Sequence, residues 1–146
     1  MMSYEMIDEN TLETLEEVTD ALTAFNHANS EVGHAHQKVF VIRDDQGRLV
    51  AGIVFVVHWY WLNIDILFVH EAYRGQGLGS QLLHRAETYA KAAGCVGAYL
   101  DTLSFQAPDF YPKHGYEVLA ELEGFPPGPN RKVYFTKRFQ DTVAEV

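Results

Sequence analysis

A glycine-rich hexapeptide at residues 74–79 constrains the fold of this chain more than any other segment. It reads Arg-Gly-Gln-Gly-Leu-Gly, follows an apolar run from Trp59 to Val69, and leads into an amphipathic pattern from Gly79 to Ala93. The first N–H groups of a helix have no intrahelical partner and carry partial positive charge. Glycines remove the Cβ atoms that would hold a bulky anion away from those groups. The hexapeptide therefore predicts a pyrophosphate-binding nest, and a turn that only permits close packing stays the open alternative.

Two other phosphate-binding loops fit this segment poorly. A P-loop requires a lysine before the serine or threonine that follows its last glycine, and no lysine precedes Ser80. A dinucleotide fingerprint would run from Gly75 through Gly77 to Ser80, so its third glycine is missing. Such a fingerprint would also follow the first strand of a domain, whereas this one follows three strand-like runs. The spacing thus favours a different kind of phosphate site.

The periodicity of apolar residues predicts a mixed α/β chain in one domain, residues 1–146. The predicted elements, in order, are a strand at Ser3–Ile7, a helix at Thr11–Asn29 with a capping box from Asn10 to Glu13, strands at Lys38–Arg43, Leu49–His58 and Trp59–Val69, a helix at Gly79–Ala93, a strand at Val96–Leu103, a short helix at Pro108–His114, and strands at Tyr116–Leu122 and Arg131–Phe139. Only the unit from Trp59 to Leu103 requires a parallel crossover. The sheet is therefore expected to be mixed, mostly antiparallel and flanked by helices.

Composition and charge exclude several classes of function. The net charge is -9, with 11 basic against 20 acidic residues, so a nucleic acid partner is not expected. The longest apolar run, Leu49 to Val57, is interrupted by Gly52 and is too short to span a bilayer. We therefore expect a cytoplasmic protein that does not contact a membrane. The acidic surface suits a cationic substrate, and it equally suits simple solubility.

Metal and disulfide chemistry are not expected either. Cys95 is the single cysteine, and its apolar neighbours predict a small buried residue rather than a nucleophile. His34 and His36 form the one close histidine pair, and the sequence places no third ligand near them. Since a zinc site needs three or four protein ligands, no metal is predicted.

Three segments together resemble the GNAT N-acetyltransferases. Arg74 to Gly79 is similar to the R/Q-x-x-G-x-G/A pyrophosphate signature of that family. Leu67 to Tyr73 resembles its upstream pattern L-x-V-x-x-x-Y-R, and Ala107 to Tyr116 resembles its A-x-x-F-Y-x-K-x-G-F/Y pattern. The predicted order of elements also agrees with the GNAT fold. The resemblance implies a central sheet of about six to seven strands, with a bulge or splay between its two central parallel strands.

The resemblance further implies acetyl-coenzyme A as co-substrate. Its pantetheine arm would enter between the strands Trp59–Val69 and Val96–Leu103, where unpaired backbone groups need partners. The residues expected to bind it are Leu67, Phe68, Val69, Arg74, Gly75, Gln76, Gly77, Leu78, Gly79, Ser80 and Ser104. Ser104 stands where family members often have an asparagine, so its contact is the one that the shorter side chain puts in question.

Two residues are expected to carry the chemistry. Tyr111 matches the position where many family members have a general acid, which would protonate the departing thiolate; a purely structural ring is the alternative. Asp65 is the candidate base that would take a proton from the amine. By a period of two, Asn63, Asp65, Leu67 and Val69 would share one face of the strand, and a carboxylate there would line a cavity or pair with a neighbouring Arg or His. Asp101 is the weaker candidate.

The resemblance therefore implies an acyltransferase that moves an acetyl group to a primary amine by direct attack in a ternary complex. A small cationic amine and a peptide or lysine amine both stay open as acceptors, and a homodimer is a further expectation from the family. The alternative function is a GNAT-fold module that binds acyl-coenzyme A, or regulates, without turnover.

Overall fold

The computed structural model describes residues 2–30 and 35–140, which fall into two units at Gly33/His34. In the first unit, helix α1 spans Leu12–Asn29. Thr11 caps it, because its hydroxyl oxygen accepts a hydrogen bond from the Thr14 N–H at 3.0 Å. The predicted capping box at Asn10 is therefore wrong by one residue. The predicted strand at Ser3–Ile7 is also wrong: a short extended run becomes a strand only within a ladder, and the six-stranded sheet does not include it.

The second unit is built on one sheet. Its strands are β1 (His36–Arg43), β2 (Leu49–His58), β3 (Trp61–Val69), β4 (Gly97–Leu103), β5 (Glu117–Glu123) and β6 (Arg131–Arg138), and helix α2 spans Leu78–Ala92. They lie in the order β1-β2-β3-β4-β6-β5. Only the β3–β4 pair is parallel, and every other neighbouring pair is antiparallel. This confirms the predicted mixed, mostly antiparallel sheet.

Two predicted elements differ in form from what the sequence suggested. Trp59 and Tyr60 do not begin β3 but form the two-residue turn before it, with φ of 49° and 62°. Such left-handed φ angles at both turn positions match the twist of a tight hairpin, although bulky side chains are uncommon there. The short helix predicted at Pro108–His114 is divided into two 3₁₀ turns, Pro108–Phe110 and Pro112–His114.

Helix α2 covers one face of the sheet. Of the stripe predicted at Leu82, Leu83, Ala86, Tyr89, Ala90 and Ala93, four residues are buried: Leu82, Leu83, Ala86 and Ala90. Tyr89 is half-buried, and Ala93, which follows the last residue of the helix, is exposed. The four buried residues pack in one core with buried side chains from the sheet, including Ile53, Phe55, Leu62, Leu100, Val133 and Phe135. Cys95 belongs to the same core, and its burial raises the pKa of the thiol. A buried, protonated thiol agrees with the predicted structural role for this residue.

A buried acidic residue on α2 ties the helix to the last strand. Glu87 is 5% exposed; it accepts hydrogen bonds from the Tyr116 hydroxyl and from Lys137 Nζ, both at 2.8 Å. Burial, followed by the nearby Glu87 charge, raises the pKa of the Tyr116 phenol, so that hydroxyl remains the donor at any ordinary pH. The carboxylate is thus fully partnered inside the protein.

We expect Glu87→Ala to lower the free energy of unfolding by about 3 kcal/mol, because it leaves the Lys137 ammonium and the Tyr116 hydroxyl without their shared partner. Chemical denaturation followed by far-UV circular dichroism measures the change. Glu117→Ala, at an exposed position of β5, is the control and should stay within about 0.5 kcal/mol of the wild type. Equal stability of the two variants would mean that the buried network contributes nothing.

Candidate active site

The two central parallel strands separate after four residue pairs. β3 and β4 are paired from Trp61 with Gly97 to Ile64 with Leu100, and the register ends there. Beyond that point, Ile66–Val69 of β3 continues to pair with β2, and Asp101–Leu103 of β4 continues to pair with β6. The two strands therefore form a fork whose inner edges have no strand partner. The predicted splay between the central strands is confirmed.

A β-bulge lies at the closed end of this fork. Val54 pairs with Ile66 while the next residue of β2, Phe55, pairs with Ile64, so Asp65 is the extra residue of β3. A bulge shifts the alternation of side chains by one position. The predicted shared face of Asn63, Asp65, Leu67 and Val69 is therefore wrong: Leu67 and Val69 pack on the core with Leu62 and Ile64. The bulge leaves the Asp65 side chain exposed at the start of the opening.

The glycine turn leads into α2 as an uncapped helix start. Gly75 and Gly77 both have φ of 80°, a left-handed conformation that glycine adopts without strain. Gly77 is the N-cap residue, and no side chain caps the helix at that point. The nearest backbone bond runs from the Gln81 N–H to the Gly77 carbonyl at 3.0 Å. The N–H groups of Leu78, Gly79 and Ser80 precede that bond, so they are the ones that α2 leaves for an anion.

Arg74 is held in place beside these N–H groups. Its Nε donates a hydrogen bond to the carbonyl oxygen of Val69 at 3.0 Å. This bond uses one guanidinium donor and leaves the terminal nitrogens for a second partner. A side-chain cation and a helix N-terminus therefore meet at the open end of the fork, and both favour a negatively charged group.

One cavity of about 760 Å³ runs through the fork. The predicted residues that line it are Asp65, Leu67, Phe68, Val69, Arg74, Gly75, Gly77, Leu78, Gly79 and Tyr111. Asp101 lines it as well. The open space at Gly77 is informative: a Cβ placed there would have no protein atom within 4 Å. The cavity thus extends from the helix start to the tyrosine.

Tyr111 is buried beside the fork. Its side chain is 8% exposed and its ring packs against Phe110, Tyr116 and Phe135, with centroid distances of 5.1, 5.8 and 5.6 Å. Within residues 35–140 its hydroxyl has no hydrogen-bond partner, and no fully buried side-chain oxygen or nitrogen there lacks one. The hydroxyl is therefore open to the cavity. Burial raises the pKa of this phenol to about 12.

Three predicted binding residues do not line the cavity: Gln76, Ser80 and Ser104. The Ser80 hydroxyl lies 3.0 Å from Nε2 of His114. The Ser104 hydroxyl accepts a hydrogen bond from the Arg131 N–H at 3.0 Å, so it joins two loops of the protein. Ser80 can still contribute to anion binding through its backbone N–H, which lies in the first turn of α2.

The two carboxylates at the fork have different surroundings. Asp65 and Asp101 are the first residues of β3 and β4 beyond the last parallel pair. Asp101 forms an ion pair with Lys132 at 3.6 Å. Over the described residues 35–140, no ion pair or hydrogen bond engages the Asp65 carboxylate, so it is available to a ligand. The predicted pairing of Asp65 with an arginine or histidine is thus not what the structure has.

Sequence reasoning missed Gln106 as a residue of the site. Its side-chain oxygen accepts hydrogen bonds from the Thr102 hydroxyl at 3.0 Å and from the Leu103 N–H at 2.8 Å, and it lines the cavity. It thereby occupies the end of β4, next to Ser104. The sequence offered one indication, because Gln106 directly precedes the Ala107–Tyr116 segment that resembles the family pattern. Its hydrogen bonds to β4 could not be deduced from sequence spacing.

These features define a mixed α/β domain whose sheet divides around a cavity, with the uncapped start of a helix at one end of it. Residues 35–118, more than half of the chain, match the model of an acetyltransferase (GNAT) domain. The chain belongs to the GNAT superfamily of acetyltransferases, and it is an acyltransferase.

Individual relatives agree with this assignment. The chain is 45% identical over 85 residues to blasticidin-S acetyltransferase of Streptomyces morookaense, which covers 58% of this chain and 62% of that relative. The chain therefore spans less than two thirds of that protein. The crystal structure of an acetyltransferase from Bacillus cereus ATCC 14579 is 34% identical with a TM-score of 0.83, covering 92% of this chain and 98% of the other.

A more distant structure shares the fold alone. It comes from Bacillus anthracis strain Ames, is assigned as a streptothricin acetyltransferase, and was solved in complex with acetyl coenzyme A. It is 22% identical, with a TM-score of 0.62, and the match covers 71% of this chain and 63% of that one.

Two further findings concern metals and membranes. Across the described residues, no cluster of three or more His, Cys, Asp or Glu side chains has the arrangement of a metal site. His34 of the predicted histidine pair lies outside those residues. No helix in the described part of the chain has the length and apolar character needed to cross a membrane.

Proposed function

We propose that this protein transfers the acetyl group of acetyl-coenzyme A to a primary amine of a small cationic molecule. The observation that carries the proposal is the cavity through the fork, which joins an anion-binding helix start to a free phenol hydroxyl. The dimensions and polarity fit coenzyme A: an anionic pyrophosphate for the helix start, and an amide-containing arm for the open strand edge. The complex of the Bacillus anthracis structure with acetyl coenzyme A supports the same donor.

Donor binding would use main-chain groups at both ends of the ligand. The N–H groups of Leu78, Gly79 and Ser80 and the Arg74 guanidinium would hold the pyrophosphate. The unpaired edge of β3 at Leu67–Val69 would bond the amides of the pantetheine arm, which then continues the sheet as an added strand. In this arrangement the thioester would lie at the closed end of the fork, where Asp65 and Tyr111 both line the cavity.

The reaction moves protons at the amine and at the departing sulfur. The cationic amine first loses one proton, for which the free Asp65 carboxylate is the base at the fork, either directly or through a water molecule. The amine nitrogen then attacks the thioester carbonyl, and the carbon–sulfur bond breaks. The departing thiolate takes a proton from the Tyr111 hydroxyl, which its raised pKa keeps protonated. The nitrogen of the adduct gives its second proton, through water, to the Tyr111 phenolate, and Asp65 releases the first proton to solvent.

Charge favours a cationic acceptor. The chain carries a net charge of -9, and the closed end of the fork presents two carboxylates and one balancing lysine. A positively charged molecule is drawn to such a site and its on-rate rises. Blasticidin-S acetyltransferase is among the relatives, which supports a small amine over a peptide. The homodimer and the cytoplasmic location stay predictions.

Release of free thiol from acetyl-coenzyme A, measured over a panel of small cationic amines and lysine peptides, tests the proposal. We expect turnover with at least one small amine. Binding of acetyl-coenzyme A without turnover on any amine would instead support the non-catalytic binding module, and absence of binding by calorimetry would contradict both functions.

The same assay tests the base. We expect Asp65→Asn to lower kcat/KM for the amine by tenfold or more, since the amide cannot accept the proton. Asp45→Asn, in the exposed turn between β1 and β2, is the matched control and should behave as the wild type. Unchanged kinetics of Asp65→Asn would assign the proton to water alone.

A further inference from the structure

A polar anchor connects the turn that carries Tyr111 to the first turn of α2. His114 Nε2 lies 3.0 Å from the Ser80 hydroxyl oxygen, and the contact is partly buried. Ser80 is the third residue of α2, and His114 follows Tyr111 by three residues. The His114 ring also packs against the ring of Phe110, with centroids 4.7 Å apart. This histidine therefore contacts both the helix start and the residue before the tyrosine.

The other contacts near this anchor are less directional. The N–H groups of His114 and Tyr116 bond the Tyr111 carbonyl at 2.9 and 3.2 Å, so these bonds shape the turn but do not attach it to the helix. Gly79 faces the Phe110 ring, which an added Cβ would meet at 3.5 Å. Such apolar packing holds two surfaces together without fixing their lateral position. The hydrogen bond between His114 and Ser80 depends on direction, so it fixes the lateral position of the turn against the helix.

This alignment matters because the donor has a fixed length. If its pyrophosphate sits at the start of α2, its sulfur can reach only one region of the fork. The Tyr111 hydroxyl must be in hydrogen-bond range of that sulfur to transfer a proton. A displacement of about 1 Å between the helix start and the tyrosine turn is enough to lower a rate by up to about 100-fold.

We propose that His114, through its hydrogen bond to Ser80, is a positioning residue that holds Tyr111 in register with the pyrophosphate-binding start of α2. The inference rests on the proposed function, because it assigns Tyr111 the role of proton donor. His114 is not among the residues that line the cavity. Its effect therefore falls on the chemical step and not on donor affinity.

Four variants test the anchor kinetically. We expect His114→Ala to lower kcat by tenfold or more while the Kd for coenzyme A changes less than threefold. His114→Gln should restore much of kcat, since its side-chain amide can replace Nε2 as the hydrogen-bond partner of the Ser80 hydroxyl. Ser80→Ala should also lower kcat, and the double variant should be no worse than His114→Ala, because both single changes remove the same hydrogen bond.

His36→Ala is the matched control. His36 Nε2 lies 2.8 Å from the Tyr89 hydroxyl, so it is also a histidine bonded to a hydroxyl on α2. Tyr89 lies nine residues further along the helix than Ser80, far from the tyrosine turn in sequence and structure. His36→Ala should lose about as much thermal stability as His114→Ala, while its kcat stays at the wild-type value.

A readout that needs no turnover separates this inference from the proposed function. With tyrosine labelled by ¹³C at Cζ, the Tyr111 signal should titrate near pH 12 in the wild type and in His36→Ala. In His114→Ala the released turn admits water, so the midpoint should move toward about 10. A wild type that transfers no acetyl group would refute the proposed function, while this titration would still decide whether His114 holds the tyrosine.

Several results would overturn the anchor. An unchanged kcat in His114→Ala, or an unchanged Tyr111 midpoint, would mean that packing alone fixes the turn. A parallel loss of kcat and coenzyme A affinity would indicate general disorder, as would an equal loss of kcat in His36→Ala.

Discussion

Gly77→Trp is expected to raise the Kd for coenzyme A by about 100-fold or more. Gly77 caps α2 in a left-handed conformation, lines the cavity, and has no protein atom within 4 Å of its Cβ position. An indole there fills the place of the pyrophosphate and hides the N–H groups behind it. Charge-assisted hydrogen bonds contribute about 1.5–3 kcal/mol each, so loss of two accounts for the change. Isothermal titration calorimetry measures it.

The control for this variant must reproduce its backbone strain. Gly47, in the turn between β1 and β2, has φ of 79° and also has no atom within 4 Å of its Cβ position. Gly47→Trp should therefore lose a similar stability, about 1–2 kcal/mol for a left-handed non-glycine residue. It should bind coenzyme A as the wild type does. If both variants lost binding equally, the loss would come from strain and not from an occupied site.

Tyr111→Phe is expected to lower kcat by about 100-fold at unchanged affinity for coenzyme A, because the buried ring stays while the proton donor is removed. The wild-type rate should not decline as pH passes 10, where an exposed tyrosine ionises, since burial raises the pKa of Tyr111 to about 12. Steady-state kinetics between pH 7 and 11 measure both effects.

Tyr89→Phe serves as the control for the tyrosine. Its hydroxyl bonds His36 on β1, so the change removes one hydroxyl and one hydrogen bond outside the cavity. We expect kcat to be retained. If Tyr111→Phe lowered kcat and coenzyme A affinity together, the hydroxyl would have a packing or binding role, and another group would have to protonate the thiolate.

Much of the fold could be predicted because local pattern and tertiary structure agree in it. Gly75 and Gly77 form the predicted glycine turn before α2, and most of the apolar stripe of α2 is buried. The order β1-β2-β3-β4 follows from short connections and one parallel crossover, but β6 rather than β5 pairs with β4, which the sequence did not indicate. A family resemblance then identified the segment that carries Tyr111, which lines the same cavity as the glycine turn.

The errors occurred where one strand depends on its neighbour. The bulge at Asp65 is defined by the pairing of Val54 and Phe55 on β2, so the alternation within β3 alone could not reveal it. The bond between Ser80 and His114 joins residues 34 positions apart. Trp59 and Tyr60 have the composition of a strand, yet they occupy the turn because the hairpin register ends at His58 and Trp61.

The short parallel pairing at the closed end of the fork, which we call the seam, joins two halves of the sheet. One half is β1, β2 and β3, the other is β4, β6 and β5, and four residue pairs connect them. At the seam the chains are packed so closely that a Cβ on Gly97 would lie 2.6 Å from both the Lys137 carbonyl oxygen and the Trp61 ring. A ligand bonded to the open edge of β3 lengthens the seam. If the donor binds this edge as proposed, each round of binding and release would add a strand to the sheet and remove it again.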